Sequence, residues 1–214
     1  MTTDTRQYFD SLLFDMDGTL WDAVDSYCAV WNAAIDRVCP QVERIGYDRL
    51  SRLMGTPLKE IYDRLIGTSC DYDTFMSELL RLEQHLMPRL GGRLYPGVRE
   101  TLTELARTHR LFMVSNCNAE GLPVFLEYTG LKPLFADTIS YGETGQEKDR
   151  NIALIVRRHG LKSPLYVGDT AGDCRCSHAA GVPFAWARYG FGTDVTDAEY
   201  TLACISDLLK IGGI

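Results

Sequence analysis

The first residues able to do chemistry are Asp15 and Asp17, in the run Ser11-Leu12-Leu13-Phe14-Asp15-Met16-Asp17-Gly18-Thr19-Leu20. Ser11 to Phe14 reads as a short buried β-strand that ends abruptly in two carboxylates. A carboxylate buried at a strand end is costly unless a partner neutralises it. Two of them one residue apart also repel each other, and a bound cation relieves both problems. Gly18 gives the loop backbone angles that other residues resist. The plainer interpretation is an ordinary strand followed by an aspartate-rich turn, and the decapeptide alone does not separate the two.

Further along come Val114-Ser115-Asn116, then Lys148, then Val167-Gly168-Asp169-Thr170-Ala171-Gly172-Asp173. Together with Asp15-x-Asp17-Gly18-Thr19, and in that order, they resemble the four motifs of the haloacid dehalogenase-like (HAD) hydrolase superfamily across nearly the whole chain. The resemblance implies that Asp15 is a nucleophile. Its carboxylate would attack phosphorus and form an aspartyl phosphate, splitting one hard displacement into two easier ones. Asp17 would be the general acid for the leaving alkoxide and then the general base for the attacking water, work that typically contributes roughly 100- to 10,000-fold in rate. Dehalogenases that resemble the pattern lack this second aspartate, so phosphoryl chemistry is favoured over carbon–halogen cleavage.

Ser115 can donate its hydroxyl to a phosphate oxygen with the Asn116 amide alongside, and Lys148 would neutralise the same phosphoryl group or the nucleophile. The implied metal set is Asp15, Asp169 and the backbone carbonyl of Asp17, hard oxygen donors that suit Mg²⁺. Asp173 keeps two readings, contact to a metal-bound water or an anchor for Lys148, beside the plain one of a surface aspartate at a helix N-terminus.

Such groups act together only if a scaffold gathers them. From Val98 onward the pattern alternates, with helix over 98–108, strand over 111–115, helix over 119–128 and a strand near 138–140. It continues with helix over 149–159, strand over 165–168, helix over 172–180, strand over 183–187 and a last helix over 198–209. Alternation of this kind predicts an α/β fold, a parallel sheet covered on both faces. Asp15, Ser115 and Asp169 then fall at the C-terminal ends of strands, where open α/β sheets bind ligands. Between Asp22 and Leu90 the apolar spacing is helical instead, with breaks near Pro40, Gly55, Gly67 and Pro88. The resemblance implies a Rossmann-like core, residues 1–21 and 91–214, with an inserted α-helical cap domain over 22–90. Gly91 to Gly97 is a plausible hinge.

The insert and Tyr189-Gly190-Phe191-Gly192 look like the phosphoglycolate phosphatase and β-phosphoglucomutase branch of the superfamily. Leu53-Met54-Gly55-Thr56-Pro57-Leu58 resembles the cap segment that faces the active site there, which makes Gly55 and Thr56 the cap residues expected to meet substrate. The mutase pattern carries an arginine soon after this glycine, and Thr56-Pro57-Leu58 has none, which favours a phosphatase. The implied substrate is a small phosphomonoester: phosphoglycolate-like, a sugar phosphate or a nucleotide. The competing readings are a β-phosphoglucomutase-like phosphotransferase and, from another class, a phospho-receiver or binding module.

With 45% hydrophobic and 24% charged residues, the 214-residue chain is ordinary for a soluble globular protein. A net charge of -7 argues against a nucleic-acid or anionic-membrane partner. No apolar run approaches a membrane span, and Met1 to Asp10 is polar with no signal-peptide core. The seven cysteines show no zinc-site spacing, and Cys174-Arg175-Cys176 is a weak pair. Reduced thiols in a cytoplasmic protein are the reading. His85, His109, His159 and His178 are read as surface or core residues rather than ligands. Trp21 is read as packing that could also shape the pocket.

Overall fold

Leu12 and Phe14 of strand β1 (Ser11–Phe14) pack into one apolar cluster and Leu13 into a second. That split is why the strand reads as an unbroken apolar run, because both of its faces are covered. The computed structural model describes residues 8–212 and 214, so the first seven residues of the 1–21 segment lie outside the described residues.

After β1 come β2 (Trp21–Asp22) and four helices, α1 (Val24–Val38), α2 (Tyr47–Ser51), α3 (Leu58–Leu65) and α4 (Tyr72–Leu90). Next are β3 (Arg93–Leu94), α5 (Val98–Leu105), β4 (Arg110–Ser115), α6 (Gly121–Thr129) and β5 (Phe135–Ser140). The chain closes through α7 (Tyr141–Thr144), α8 (Lys148–His159), β6 (Pro164–Gly168), α9 (Ala171–Ala179), β7 (Phe184–Ala187) and β8 (Tyr200–Leu202). Short 3₁₀ turns lie at Gly67–Ser69, Lys132–Leu134 and Ile205–Lys210.

The main sheet has six strands in the order β5-β4-β1-β6-β7-β8, all parallel. The chain runs outward from β1 through β4 to β5, then returns to the other side of β1 and runs outward again. The strand order therefore reverses around β1, and the crevice at that switch lies beyond the carboxyl ends of β4, β1 and β6. Phe14 pairs with Met113 on one side and Val167 on the other, so the residues that follow those strands emerge side by side. The α/β fold with a Rossmann-like parallel sheet is as the sequence predicts.

Helices α1 to α4 pack on one another through aromatic side chains, with Trp31 against Phe75 at 5.6 Å and Tyr62 against Phe75 at 5.5 Å between ring centroids. A two-residue antiparallel ribbon joins the two ends of this helical segment, pairing Trp21 with Leu94 and Asp22 with Arg93. Helix α4 runs through Pro88 to Leu90 rather than breaking there. Pro88 sits in the last turn, where it removes one backbone donor, and burial of Leu79, Leu82 and Met87 holds the rest.

The C-terminal segment differs from the helix expected over 198–209. Tyr200–Leu202 is strand β8, added beside β7, and only Ile205–Lys210 coils, as a 3₁₀ turn. Asp207 fixes the change by accepting from the backbone N–H of Ala203 at 2.9 Å and Cys204 at 3.2 Å. No helix among the described residues is long and apolar enough to cross a membrane.

Candidate active site

Asp15 follows β1, Ser115 ends β4 and Asp169 follows β6, so three adjacent strand ends deliver them to one place. Lys148 opens α8 and points its ammonium into the same place. Its Nζ lies 3.0 Å from Asp15 Oδ1 and 2.5 Å from Asp173 Oδ1. All five residues are buried, none more than 3% exposed. Burial opposes the lysine charge, but Asp15 and Asp173 outweigh it and hold the ammonium well above its usual range.

The two aspartates of the first loop have different surroundings. Asp15 is raised by burial, while Lys148 pulls in the opposite direction as its nearest cation. Asp17 forms no ion pair with the lysine among the described residues. Its Oδ1 accepts from the Trp21 indole at 2.8 Å, and burial with the Asp15 charge pushes it up to about 8. One carboxyl is thus paired with a cation, and its neighbour is disposed to carry a proton at neutral pH. Gly18 turns the chain directly after them, with φ +82; a Cβ there would lie 2.3 Å from Asp169 Oδ2.

Asp173 has two jobs. Its Oδ1 receives Lys148, and its Oδ2 caps α9 by accepting from Thr170 N at 2.9 Å and Thr170 Oγ1 at 2.7 Å. Asp169 Oδ2 accepts from Phe191 N at 2.8 Å, and Oδ1 accepts only a long bond from Thr19 at 3.4 Å. Burial and the charges of Asp173 and Asp15 raise Asp169 well above the carboxylate range. Oxygens of Asp15, Asp169 and Asp173 lie within 4.8 Å of one another. Four buried carboxyls against one ammonium leave this corner short of positive charge, and hard oxygen donors in that arrangement fit Mg²⁺. The Asp17 carboxylate is outside the group, which leaves its backbone carbonyl as the donor the sequence reading assigns.

Ser115 lines the cavity beside these carboxyls, and its Oγ accepts from Cys117 N at 3.3 Å. Asn116 also lines it, but its side-chain Nδ2 donates to the Gly55 carbonyl at 2.9 Å, so its amide grips the helical segment. Gly55, with φ +81, and Thr56 border the same cavity. The cavity is about 610 Å³. Cys117 lines it too, and burial pushes its thiol up to about 12, away from the reactive thiolate form.

The sequence reading missed several participants. Thr19 touches Asp169, and Tyr189 OH donates to the Thr19 carbonyl at 2.9 Å. Gly190 and Gly192 let their segment lie directly on the acidic loops; a Cβ on either would come within 2.2 Å of backbone oxygens of Gly18 or Asp169. Their G-F-G spacing after an aromatic was the available signal for such a close approach. Glu83 of α4 was also passed over. It is 8% exposed, lines the cavity and accepts from Asn118 Nδ2.

Comparison with known proteins bears on the family and the fold. A family model described as haloacid dehalogenase-like hydrolase matches residues 12–187. The phosphoglycolate phosphatase of Vibrio parahaemolyticus is 25% identical, over 97% of this chain and 97% of that protein. Pyrophosphatase PpaX of Bacillus velezensis is 28% identical, over 99% of each. The crystal structure of a predicted phosphoglycolate phosphatase from Haemophilus somnus superposes with a TM-score of 0.82 at 24% identity, covering 95% of this chain and 97% of that one, a likeness of fold.

Proposed function

The chain belongs to the haloacid dehalogenase-like hydrolases, and from that premise we propose that it is a Mg²⁺-dependent phosphatase of a small phosphomonoester. The observation that carries this reading is the Lys148 Nζ, 3.0 Å from Asp15 and 2.5 Å from Asp173, on the floor of a cavity that Ser115 also lines. A nucleophilic carboxylate, an ammonium for the phosphoryl oxygens and a hydroxyl donor stand together there.

In this reading an Asp15 oxygen attacks phosphorus in line. The P–O bond to the alcohol breaks, and Asp17 gives its proton to the departing oxygen. Asp17, now a carboxylate, takes a proton from water as that water attacks the aspartyl phosphate, and inorganic phosphate leaves with Asp15 restored. Lys148 and Ser115 hold the phosphoryl oxygens, and Asp173 holds Lys148. Asp15, Asp169 and the Asp17 carbonyl would hold Mg²⁺, which when bound neutralises charge on the phosphoryl group.

Residues 22–90 would act as the cap over a core made of 1–21 and 91–214, keeping bulk water from the aspartyl phosphate. The Asn116–Gly55 hydrogen bond and the Glu83–Asn118 contact support that division of labour, since each ties the helical segment to the loop after β4. Unpaired cysteines suit a reducing, cytoplasmic setting. The test is phosphate release from a panel of phosphomonoesters with Mg²⁺ and with EDTA, beside Asp15→Asn. Metal-dependent release that the variant loses is the expected result, and full activity in Asp15→Asn would remove the nucleophile assignment.

A further inference from the structure

The upper part of the cavity differs chemically from its floor. Trp31, Leu50, Ile61, Tyr72, Met76 and Met87 make an apolar wall above the carboxyls. Among the described residues the lining includes no arginine or histidine, and its cations are Lys148 and Lys59. Lys148 is committed to the floor by Asp15 and Asp173. Lys59 is 65% exposed, with Nζ bonded to both carboxylate oxygens of Asp63 at 3.0 and 2.8 Å and lying 5.4 Å from the centre of the Tyr72 ring. The positive charges on the lining are therefore already paired with carboxylates of this chain.

The upper cavity does offer a negative charge. Glu83 lies on the buried face of α4 and lines the cavity, and among the described residues only the Asn118 amide hydrogen-bonds to it. Burial pushes its carboxyl up to about 7. Tyr27, raised well above its ordinary value by burial and by the Asp17 and Glu83 charges, lies on the same lining between the catalytic loop and this glutamate. A buried carboxylate with one neutral donor has acceptor capacity left over, and leaving it unused is costly. Among the described residues no second donor hydrogen-bonds to Glu83, so a ligand that enters the cavity is the natural source.

We propose that the substrate is a phosphomonoester whose leaving alcohol carries no carboxylate and presents an N–H or O–H donor, on a largely apolar frame, to Glu83. This rests on the phosphatase reading above and narrows it. A carboxylated leaving group such as glycolate would be brought into an apolar space beside Glu83 with no unpaired cation to receive it, a like-charge pairing that selects against it. An ammonium or hydroxyl satisfies Glu83 instead.

The probes are 3-aminopropyl phosphate, 3-hydroxypropyl phosphate, propyl phosphate and 2-phosphoglycolate. Binding is read by calorimetric titration of the Asp15→Asn protein at pH 8, where Glu83 is mostly ionised, with Mg²⁺ present, so turnover does not intervene. The donor-bearing esters should bind at least about tenfold more tightly than 2-phosphoglycolate, with propyl phosphate between them. Comparing the amine with the hydroxyl identifies which donor Glu83 prefers. Adding Glu83→Gln should shrink the preference for the amine over 2-phosphoglycolate. Gln84→Arg, which adds a cation at an exposed lining position, should shift preference towards 2-phosphoglycolate without disturbing the buried site. Equal or tighter binding of 2-phosphoglycolate by the Glu83 protein overturns the proposal, as does a preference that Glu83→Gln leaves unchanged. Metal-dependent release from p-nitrophenyl phosphate by the wild-type chain tests the phosphatase reading separately. If that release is absent while the binding preference holds, the phosphatase reading falls and the Glu83 assignment stands.

Discussion

The indole Nε1 of Trp21 donates to Asp17 Oδ1 at 2.8 Å, and Trp21 is completely buried, edge-on to Phe125 at 5.0 Å. The ring is pinned by strand β2 and by that aromatic contact, so it fixes the direction of the Asp17 carboxyl. Trp21→Phe keeps most of the packing and removes the donor. The expected cost in stability is about 1 kcal/mol. Catalysis should lose more: kcat falls about 10- to 100-fold through misplacement of the acid, with KM little changed. Because the indole N–H lowers the Asp17 pKa, the alkaline limb of the rate profile should also move upward in the variant. Steady-state kinetics across pH, beside a urea denaturation curve, check both parts.

Glu83 makes stability depend on pH in a direction that can be worked out. Burial raises its folded pKa from 4.5 to about 7, so between those values the folded chain holds a proton that the unfolded chain has released. Stability therefore falls as pH rises through that window and levels off above it, by about 3 kcal/mol at most. Glu83→Gln carries no such proton. Measured in EDTA, the variant's denaturation midpoint should drop less than the wild type's between pH 5 and pH 8, and at pH 8 it should be the more stable protein. An unchanged pH slope would remove the buried-carboxylate account.

Much of the site was legible in the chain because strand ends announce themselves. An apolar run that stops at Asp15, another that stops at Ser115 and a third at Asp169 had to place three polar groups on one sheet edge, whatever the details of packing. The Lys148 position was readable only through its order among the motifs, since a lysine at a helix start is ordinarily solvated. The residues that escaped depend on long-range partners. Trp21 serves Asp17 because two residues of β2 pair with Arg93 and Leu94, some seventy positions away. Tyr200–Leu202 is a strand because β7 lies beside it, and nothing local distinguishes it from a helical stripe. Glu83 left a trace: it falls between Met76, Leu79 and Met87 on the buried face of α4, a charged residue where the helical period demands an apolar one.

Gly55 is where the helical segment meets the loops after β4 and β6, and its backbone accepts no other residue comfortably. It has φ +81, its carbonyl takes the Asn116 amide, and a Cβ would sit 3.1 Å from Thr170 Cγ2. Gly55→Ala should cost about 1–2 kcal/mol through the left-handed backbone alone. Shifting the loop also weakens the bond to Asn116, so KM should rise for every ester tested while the p-nitrophenyl phosphate kcat changes less. A chain with unaltered KM would show that this loop does not take part in substrate enclosure.

The strongest dependence should be on the divalent cation, and it can be read without turnover. Asp15, Asp17, Asp169 and Asp173 are all buried, and Lys148 is the ammonium among them. Without further positive charge the group holds itself together against mutual repulsion, which is why Asp169 is raised well above its ordinary value. A cation that binds only the folded chain adds about 2.7 kcal/mol at one hundred times its dissociation constant. For a domain of this size that corresponds to a rise in Tm of about 5–10 °C. Asp169→Asn removes one charged oxygen donor and relieves repulsion at the same time. It should therefore melt no lower than the wild type in EDTA yet gain little or nothing from Mg²⁺. Thermal melts of both proteins, with the cation and with chelator, separate a metal-binding carboxylate from a merely structural one: a variant that still gains the full shift would place the cation elsewhere.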